Sequence, residues 1–369
     1  MNSEERKTAR YLRRKAKRKT KQVNVNFEEI FTFKNLWIAR QKTMKNVGWK
    51  ASVQAYRNRS ITNIAKTYHE LHSGKYKSRG FYEFDIIERG KPRHIQSVHI
   101  SERVVQRCLC DIALVPIIKR QLIYDNGACL KGKGIDFSLN RMETHLKTYY
   151  LEHGNNEGYA LMIDFSKYFE NIDHGKLIQA LTNIIKDKKL LGLLVQLIND
   201  FGEKGLGLGS QISQISAIFL PTSIDRFVLK TLGVKRYGRY MDDSYLIHES
   251  KEYLRQCLIS IRSIADMLGI KLNSKKTQIV KLKNGIPWLK TRFILTSSGK
   301  VYRKPHKKSI VRMRRKLKIF KRWQDLGKMH KIDIFTSYNS WKGHIEKTDS
   351  VQSVRSMDRL YFKLFSQGA

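Results

Sequence analysis

The sequence predicts an α+β fold, and three observations carry that prediction. A short apolar strand, 158–165, leads into Asp164. Two further β-like runs, 235–240 and 244–248, enclose Met241-Asp242-Asp243 and make a hairpin with acids at its tip. Around these strands lie long segments whose apolar residues recur at helical spacing. At 369 residues the chain can bury a large core and divide into two or three subdomains.

In chain order, residues 6–21 are basic, with Arg13, Arg14, Lys17 and Arg18 among them and too few apolar side chains to fold alone. They read as an arm for phosphates. Residues 27–44 and 49–73 show helical spacing. Residues 80–96 read as a β-hairpin, with Arg89-Gly90 and Pro92 supplying turn chemistry. Ser101 is a candidate cap for a helix that buries Val104, Val105, Cys108 and Leu109.

After the strand ending at Asp164, residues 174–199 are expected to form one helix. A glycine-rich loop at 202–209 then leads into a helix over about 213–231. Beyond the acidic hairpin, Leu254, Leu258, Ile261, Ala265 and Leu268 define a helix that Gly269 stops. Strands are expected at 270–272 and 277–282. Pro305 and Ser309 start a basic helix with Ile310, Met313, Leu317 and Phe320 on its inner face, ended by Gly327. On its outer face Arg315 and Lys318 are candidate nucleic-acid contacts, while Arg314 carries no assignment.

The charge balance narrows the partner. Lysine plus arginine number 72 and aspartate plus glutamate 32, a formal net charge of +40. So basic a chain repels itself without a polyanion, and nucleic acid is the expected one. No apolar run long enough to span a bilayer and no signal peptide is visible, so the expectation is a cytoplasmic protein without a membrane partner. Cys108, Cys110, Cys129 and Cys257 form no CxxC pair and read as buried or free thiols.

The acids suggest the chemistry. Phosphoryl transfer to a 3′-hydroxyl uses two divalent ions about 3.5–4 Å apart. Mg²⁺ favours carboxylate oxygens, so two or three carboxylates must stand at the ends of adjacent strands. Asp164, Asp242 and Asp243 are such a set. Adjacent carboxylates at a hairpin tip repel each other, a cost that a bound cation removes.

These residues belong to a longer pattern. Tyr240-Met241-Asp242-Asp243 resembles motif C of reverse transcriptases, and Asp164-Phe165-Ser166-Lys167-Tyr168-Phe169 resembles motif A. The stretch 205–214 resembles motif B. Residues 268–277 resemble motif D, with Lys276 at its lysine position. Lys91-Pro92-Arg93-His94-Ile95 and 102–106 resemble the fingers motifs. Trp288 to Phe293 stand where a primer-grip element lies, and Ser340 to His344 resemble a thumb element of the bacterial enzymes.

The sequence thus resembles bacterial reverse transcriptases of the retron and group II intron-like superfamily. The resemblance implies a right-hand polymerase: fingers, a palm of antiparallel sheet plus helices, and a helical thumb. The implied divisions are a basic disordered arm at 1–22, N-terminal extension and fingers at 23–157, palm at 158–283 with finger helices inserted at about 174–204, and primer grip with thumb at 284–369.

It also implies roles. Asp164, Asp242 and Asp243, with the Phe165 carbonyl, would hold two Mg²⁺, for which Mn²⁺ can substitute. Lys91 and Arg93 would hold the triphosphate of an incoming dNTP. Phe169 would block a ribose 2′-hydroxyl, Gln214 would lie along the templating pair, and Lys276 would protonate the leaving pyrophosphate. The implied partners are a template RNA, dedicated and non-coding, primer and product DNA, dNTPs, and an accessory protein.

One departure is visible. Many members carry Pro-Gln-Gly in motif B, where this chain has Gly207-Leu208-Gly209, followed by Ser213-Gln214. In this the chain is similar to the enzymes of diversity-generating retroelements and related antiphage-defence reverse transcriptases. The resemblance therefore implies altered fidelity and a role in retroelement diversification or defence. Template-independent or self-primed synthesis remains open, as does a non-catalytic RNA-binding or maturase-like scaffold.

Overall fold

The computed structural model describes residues 26–88 and 90–366, with the Lys91 side chain left out. The basic arm, with Arg13, Arg14, Lys17 and Arg18, lies outside the described residues. The chain divides into two compact units. One comprises Met1–Tyr124, Phe165–Arg226 and Ser263–Lys271; the other comprises Asp125–Asp164, Phe227–Arg262 and Leu272–Ala369.

The first unit is mainly helical. Residues 27–44 form two helices, Phe27–Ile30 and Phe33–Met44, because Thr32 turns out of the helix and its hydroxyl accepts from Asn35 N at 3.2 Å. The 49–73 segment likewise divides, into Ala51–Asn58 and Ser60–His72. Strands β1 (Phe81–Glu88) and β2 (Lys91–Val98) form the hairpin, antiparallel from Phe81↔Val98 to Glu88↔Lys91. The helix that follows, Ile100–Leu109, buries Val104, Val105, Cys108 and Leu109, but Ser101 is not its cap. The His99 ring takes that place and accepts from Ser101 N at 3.3 Å.

Two long helices expected in this unit are interrupted. Residues 174–199 form His174–Thr182 and Lys188–Asn199. Asp187 causes the second start: one carboxylate oxygen accepts from Leu190 N at 2.9 Å, the other from Phe27 N at 2.8 Å. The 213–231 segment starts earlier, at Gln211, and Pro221 separates Gln211–Phe219 from Thr222–Arg226. Residues 270–272 form no named strand; the Lys271 carbonyl instead accepts from Ser166 N at 2.7 Å.

The second unit carries a four-stranded antiparallel sheet in the order β4-β5-β3-β6, with β3 Tyr159–Asp164, β4 Arg236–Tyr240, β5 Asp243–His248 and β6 Gln278–Lys281. From Ala160 onward β3 is buried, which explains why it reads as a continuous apolar run. The helix Ile135–His153, which the sequence reading did not single out, packs Leu139, Met142, Leu146 and Tyr149 against Ala160, Met162, Tyr245 and Ile247. Burying each such side chain is worth about 1.5–3 kcal/mol.

A three-stranded sheet follows in this unit: β7 Ile286–Trp288, β8 Thr291–Leu295 and β9 Val301–Pro305. Pro305 closes β9, and His306, not Pro305 or Ser309, caps the next helix, Lys307–Asp325. With Lys331–Ile345 and Val351–Phe365 it encloses Met313, Leu317, Phe320, Ile334, Tyr338 and Met357. Ile310 is only partly buried at the margin of that core. Ser309 accepts from Trp341 Nε1 at 3.2 Å, and Lys342 pairs with Asp358 at 2.9 Å, so two residues of the thumb-like element hold these helices together.

The thiols Cys108, Cys110, Cys129 and Cys257 are free; Cys129 is exposed and the others are buried. Among the described residues no helix is long and apolar enough to cross a membrane.

Candidate active site

The three acids come together within the second unit. Asp164 is the last residue of β3 and its cross-strand partner is Asp243, the first residue of β5. Asp243 also pairs with Tyr240, so β4 and β5 are joined by the two residues Met241 and Asp242. So short a loop needs residues of positive φ to match the strand twist, and Met241 stands at φ +56°. A residue with a Cβ pays for that conformation, which persists only where the surroundings enforce it.

Asp164 is buried, and both its carboxylate oxygens are engaged by the segment 273–276. Asn273 Nδ2 donates to Oδ2 at 2.9 Å, and Lys276 Nζ donates to Oδ1. Asn273 N also donates to the Asp164 carbonyl at 2.8 Å. Asn273 lies within the 268–277 stretch, where the resemblance gave it no role. Its signal was its own turn chemistry: its Oδ1 accepts from Lys275 N at 3.1 Å, which fixes the Asn-Ser-Lys-Lys turn.

The electrostatics follow from this crowding. Burial, then the charges of Asp242 and Asp164, push the Asp243 carboxyl up to about 7, against the pull of Lys276. Burial opposes the charge of Lys276, but its hydrogen bond to Asp164 and the charges of all three acids outweigh that and raise its pKa. Lys276 is therefore a protonated ammonium ion at neutral pH, as a proton donor must be.

Among the described residues no group of three or more His, Cys, Asp and Glu side chains is arranged to hold a metal ion. The donor set nevertheless suits a hard divalent cation. It consists of carboxylates, one of which, Asp243, is pushed up to about 7 by burial and then by the charges of Asp242 and Asp164. Metal charge in place of the proton on Asp243 relieves that repulsion.

The remaining nucleotide candidates lie in the first unit. Lys91 and Arg93 are on β2, and Arg93 Nε is 3.6 Å from Glu88 Oε2 across the hairpin. Phe165 is buried, its ring 5.3 Å from that of Tyr168. Phe169 is half-buried in the short helix Tyr168–Asn171, edge-on to Tyr168, whose hydroxyl donates to the Ala217 carbonyl at 2.7 Å. Gln214 is exposed on Gln211–Phe219.

The glycine loop links these elements. Leu206 N donates to the Phe169 carbonyl at 2.7 Å, and Gln96 N donates to the Leu208 carbonyl at 3.0 Å. Glycine is required there: a Cβ on Gly205, at φ +82°, would stand 2.8 Å from the Glu170 carbonyl oxygen. Arg315 and Lys318 are exposed on Lys307–Asp325 in the second unit.

Comparison with known proteins gives one family match. Residues 74–307 match the family described as "Reverse transcriptase (RNA-dependent DNA polymerase)". No curated protein matches the chain in sequence. Among solved structures, similarity is found to telomerase from Candida albicans in complex with a TWJ fragment of telomeric RNA. That likeness has 11% identity and a TM-score of 0.47, covering 69% of this chain and 55% of that one. Apo telomerase from Candida tropicalis, truncated from its C-terminal domain, gives 12% identity and a TM-score of 0.47, covering 66% and 60%. Telomerase from Candida tropicalis in complex with a TWJ fragment of telomeric RNA gives 13% and 0.48, covering 66% and 48%. The matched region thus spans about half the length of these telomerase chains.

Proposed function

The chain belongs to the reverse transcriptase (RNA-dependent DNA polymerase) family, and from that premise we propose that it is an RNA-directed DNA polymerase that adds dNTPs to a primer on an RNA template. The observation that carries the proposal is the pairing of Asp164 with Asp243 across β3 and β5, with Asp242 in the turn between β5 and its other neighbour. Such a convergence of carboxylates at strand ends suits catalysis of phosphoryl transfer.

Asp164, Asp242 and Asp243, with the main-chain carbonyl of Phe165 next along the chain, are the proposed ligands of two Mg²⁺, with Mn²⁺ as a substitute. Bound there, the ions would acidify the attacking 3′-hydroxyl and neutralise charge on the leaving pyrophosphate. Asn273 orients the Asp164 carboxylate. Lys276, held beside it as an ammonium ion, supplies a proton to the pyrophosphate oxygen as the bond to the α-phosphorus breaks. Lys91 and Arg93 bind the triphosphate, Phe169 excludes a 2′-hydroxyl, and Gln214 lies along the templating pair.

In this reading residues 23–157 serve as N-terminal extension and fingers, 158–283 as palm and 284–369 as primer grip and thumb. The basic arm at 1–22 grips RNA. Arg315 and Lys318 contact the primer–template, a role that their exposure on a basic helix supports. The net charge of +40 suits a polyanionic partner, for which a dedicated non-coding RNA is proposed. The bacterial affiliation and the role in retroelement diversification or antiphage defence rest on the motif resemblance, above all on Gly207-Leu208-Gly209; a cytoplasmic location and an accessory protein are proposed with them.

Primer extension on an RNA template with Mg²⁺ and dNTPs tests the activity, comparing the natural chain with an Asp242→Ala, Asp243→Ala double variant. The expected result is DNA synthesis that the double variant has lost. Product made equally by both would overturn the proposal. Product made equally well without template would move the reading to self-primed synthesis.

A further inference from the structure

Behind the acidic turn, within the second unit, lies a circuit of polar side chains that the proposed reaction does not use directly. It begins on β5 at Tyr245, whose hydroxyl is 3.0 Å from His145 Nδ1 on the helix Ile135–His153. His145 Nε2 is 3.4 Å from Asp125 Oδ2, and Arg141 braces both, donating to Asp125 Oδ2 at 3.2 Å and lying 3.1 Å from His145 Nε2. From Asp125 the circuit returns to β4 through the main chain. Arg239 N donates to the Asp125 carbonyl at 3.1 Å, and Gly127 N donates to the Arg239 carbonyl at 2.9 Å. The Arg239 side chain, almost wholly buried, then donates from Nη1 to the Met241 carbonyl at 3.1 Å.

The packing around the circuit leaves little freedom. A Cβ on Gly238 would stand 2.7 Å from the Tyr245 ring, so glycine there lets the ring lie across β4. A Cβ on Gly127 would stand 1.7 Å from Ser138 Oγ, so the 125–127 segment sits close against the helix. Trp288 meets the Tyr245 ring edge-on with centroids 4.8 Å apart.

We propose that Tyr245, His145, Asp125 and Arg239 are positioning residues that clamp β4 to β5 and hold the Met241–Asp242 turn in its metal-ready shape. The turn needs such support. It combines a positive φ at Met241 with adjacent carboxylates that repel one another. A buried ionic network is in itself poor evidence of added stability, and its best-attested use is to specify one geometry. Here the two strands it joins are those that present Asp242 and Asp243. The inference rests on the polymerase reading for its consequence, though not for its geometry.

The experiment uses the full chain with Tyr245→Phe, which deletes one oxygen within the same volume, and Asp125→Asn as a second variant. Four readouts are taken: amide hydrogen exchange over residues 240–244, the Mg²⁺ concentration for half-maximal primer extension, the split between kcat and KM for dNTP, and the melting temperature. The expected result is faster exchange in the turn, with kcat lowered or the Mg²⁺ requirement raised by about 10–100-fold, the usual effect of losing a partner behind a metal ligand. KM for dNTP stays within about twofold, because ground-state binding is untouched.

Turn exchange, kcat and Mg²⁺ requirement all within twofold of the natural chain in Tyr245→Phe would overturn the clamp. So would a loss confined to melting temperature, which is what a merely structural role predicts. An inactive natural chain would count against the polymerase reading, and the exchange comparison would still decide the clamp by itself.

Discussion

Asp164 and Asp243 face each other across antiparallel strands β3 and β5, and they differ in what surrounds them. Asp164 is met by Asn273 and Lys276. Asp243 is half-buried among anions, and its carboxyl is pushed up to about 7. One strand pairing thus joins a carboxyl met by two donors to a carboxyl that burial and neighbouring charge push up to about 7. That asymmetry gives the site a dependence on pH.

Without divalent ions, the folded chain binds a proton at Asp243 between its ordinary carboxyl range and about pH 7, where the unfolded chain has released it. Stability from this group is therefore present at low pH and lost as pH rises through about 7. Asp243→Asn should flatten that part of the curve and be the more stable protein at pH 8. Melting curves in chelator from pH 5 to 8.5 check this; parallel curves for the two chains would sink it. Mg²⁺ must displace the same proton, so its apparent affinity should rise by about tenfold per pH unit below that point and level off above it.

Asn273 donates to the oxygen of Asp164 that Lys276 does not occupy. Asn273→Ala should lower kcat by about 10–100-fold, the range for lost support of a metal ligand, with a smaller effect on dNTP KM. Steady-state extension at saturating Mg²⁺ measures it. Activity within a factor of two would assign Asn273 to the turn alone.

Gly205 has both a positive φ and a carbonyl oxygen where a side chain would go. Gly205→Ala should destabilise the first unit by about 1–3 kcal/mol through strain and displacement. Urea unfolding of the full chain gives the number. The Gly132→Ala control has a similar φ with open space around it and should cost less.

In the proposed motif B reading Leu208 takes the place of a glutamine, and it contributes its main-chain carbonyl to Gln96. A Leu208→Gln variant keeps that bridge and adds an amide. Misincorporation on a defined RNA template should be high in the natural chain and fall in the variant by about fivefold, the factor that one hydrogen bond of ~1 kcal/mol supplies. Equal error rates would remove the link between this triplet and fidelity.

Much of this was legible from residue order. The α+β class, the apolar β3, the acidic hairpin, the inner face of the Lys307–Asp325 helix and the three carboxylates follow from local pattern, because strand alternation, helical periodicity and turn chemistry act over a few residues. Helix limits were read less well. Asp187 ends one predicted helix by capping a start that also receives Phe27 N, a residue 160 positions away. His99 takes the cap that Ser101 was expected to fill.

The sequence alone determined where the carboxylate, ammonium and guanidinium groups of the proposed metal and phosphate contacts stand in the chain, since that chemistry is carried by residue type. Only the tertiary structure decided that Asp243 pairs with Asp164, that Asn273 reaches Asp164 across 109 positions, and that Tyr245 is tied through His145 to Asp125. Those contacts join segments far apart in the chain. Register, burial and the mutual field of charges exist only once the strands have been brought together.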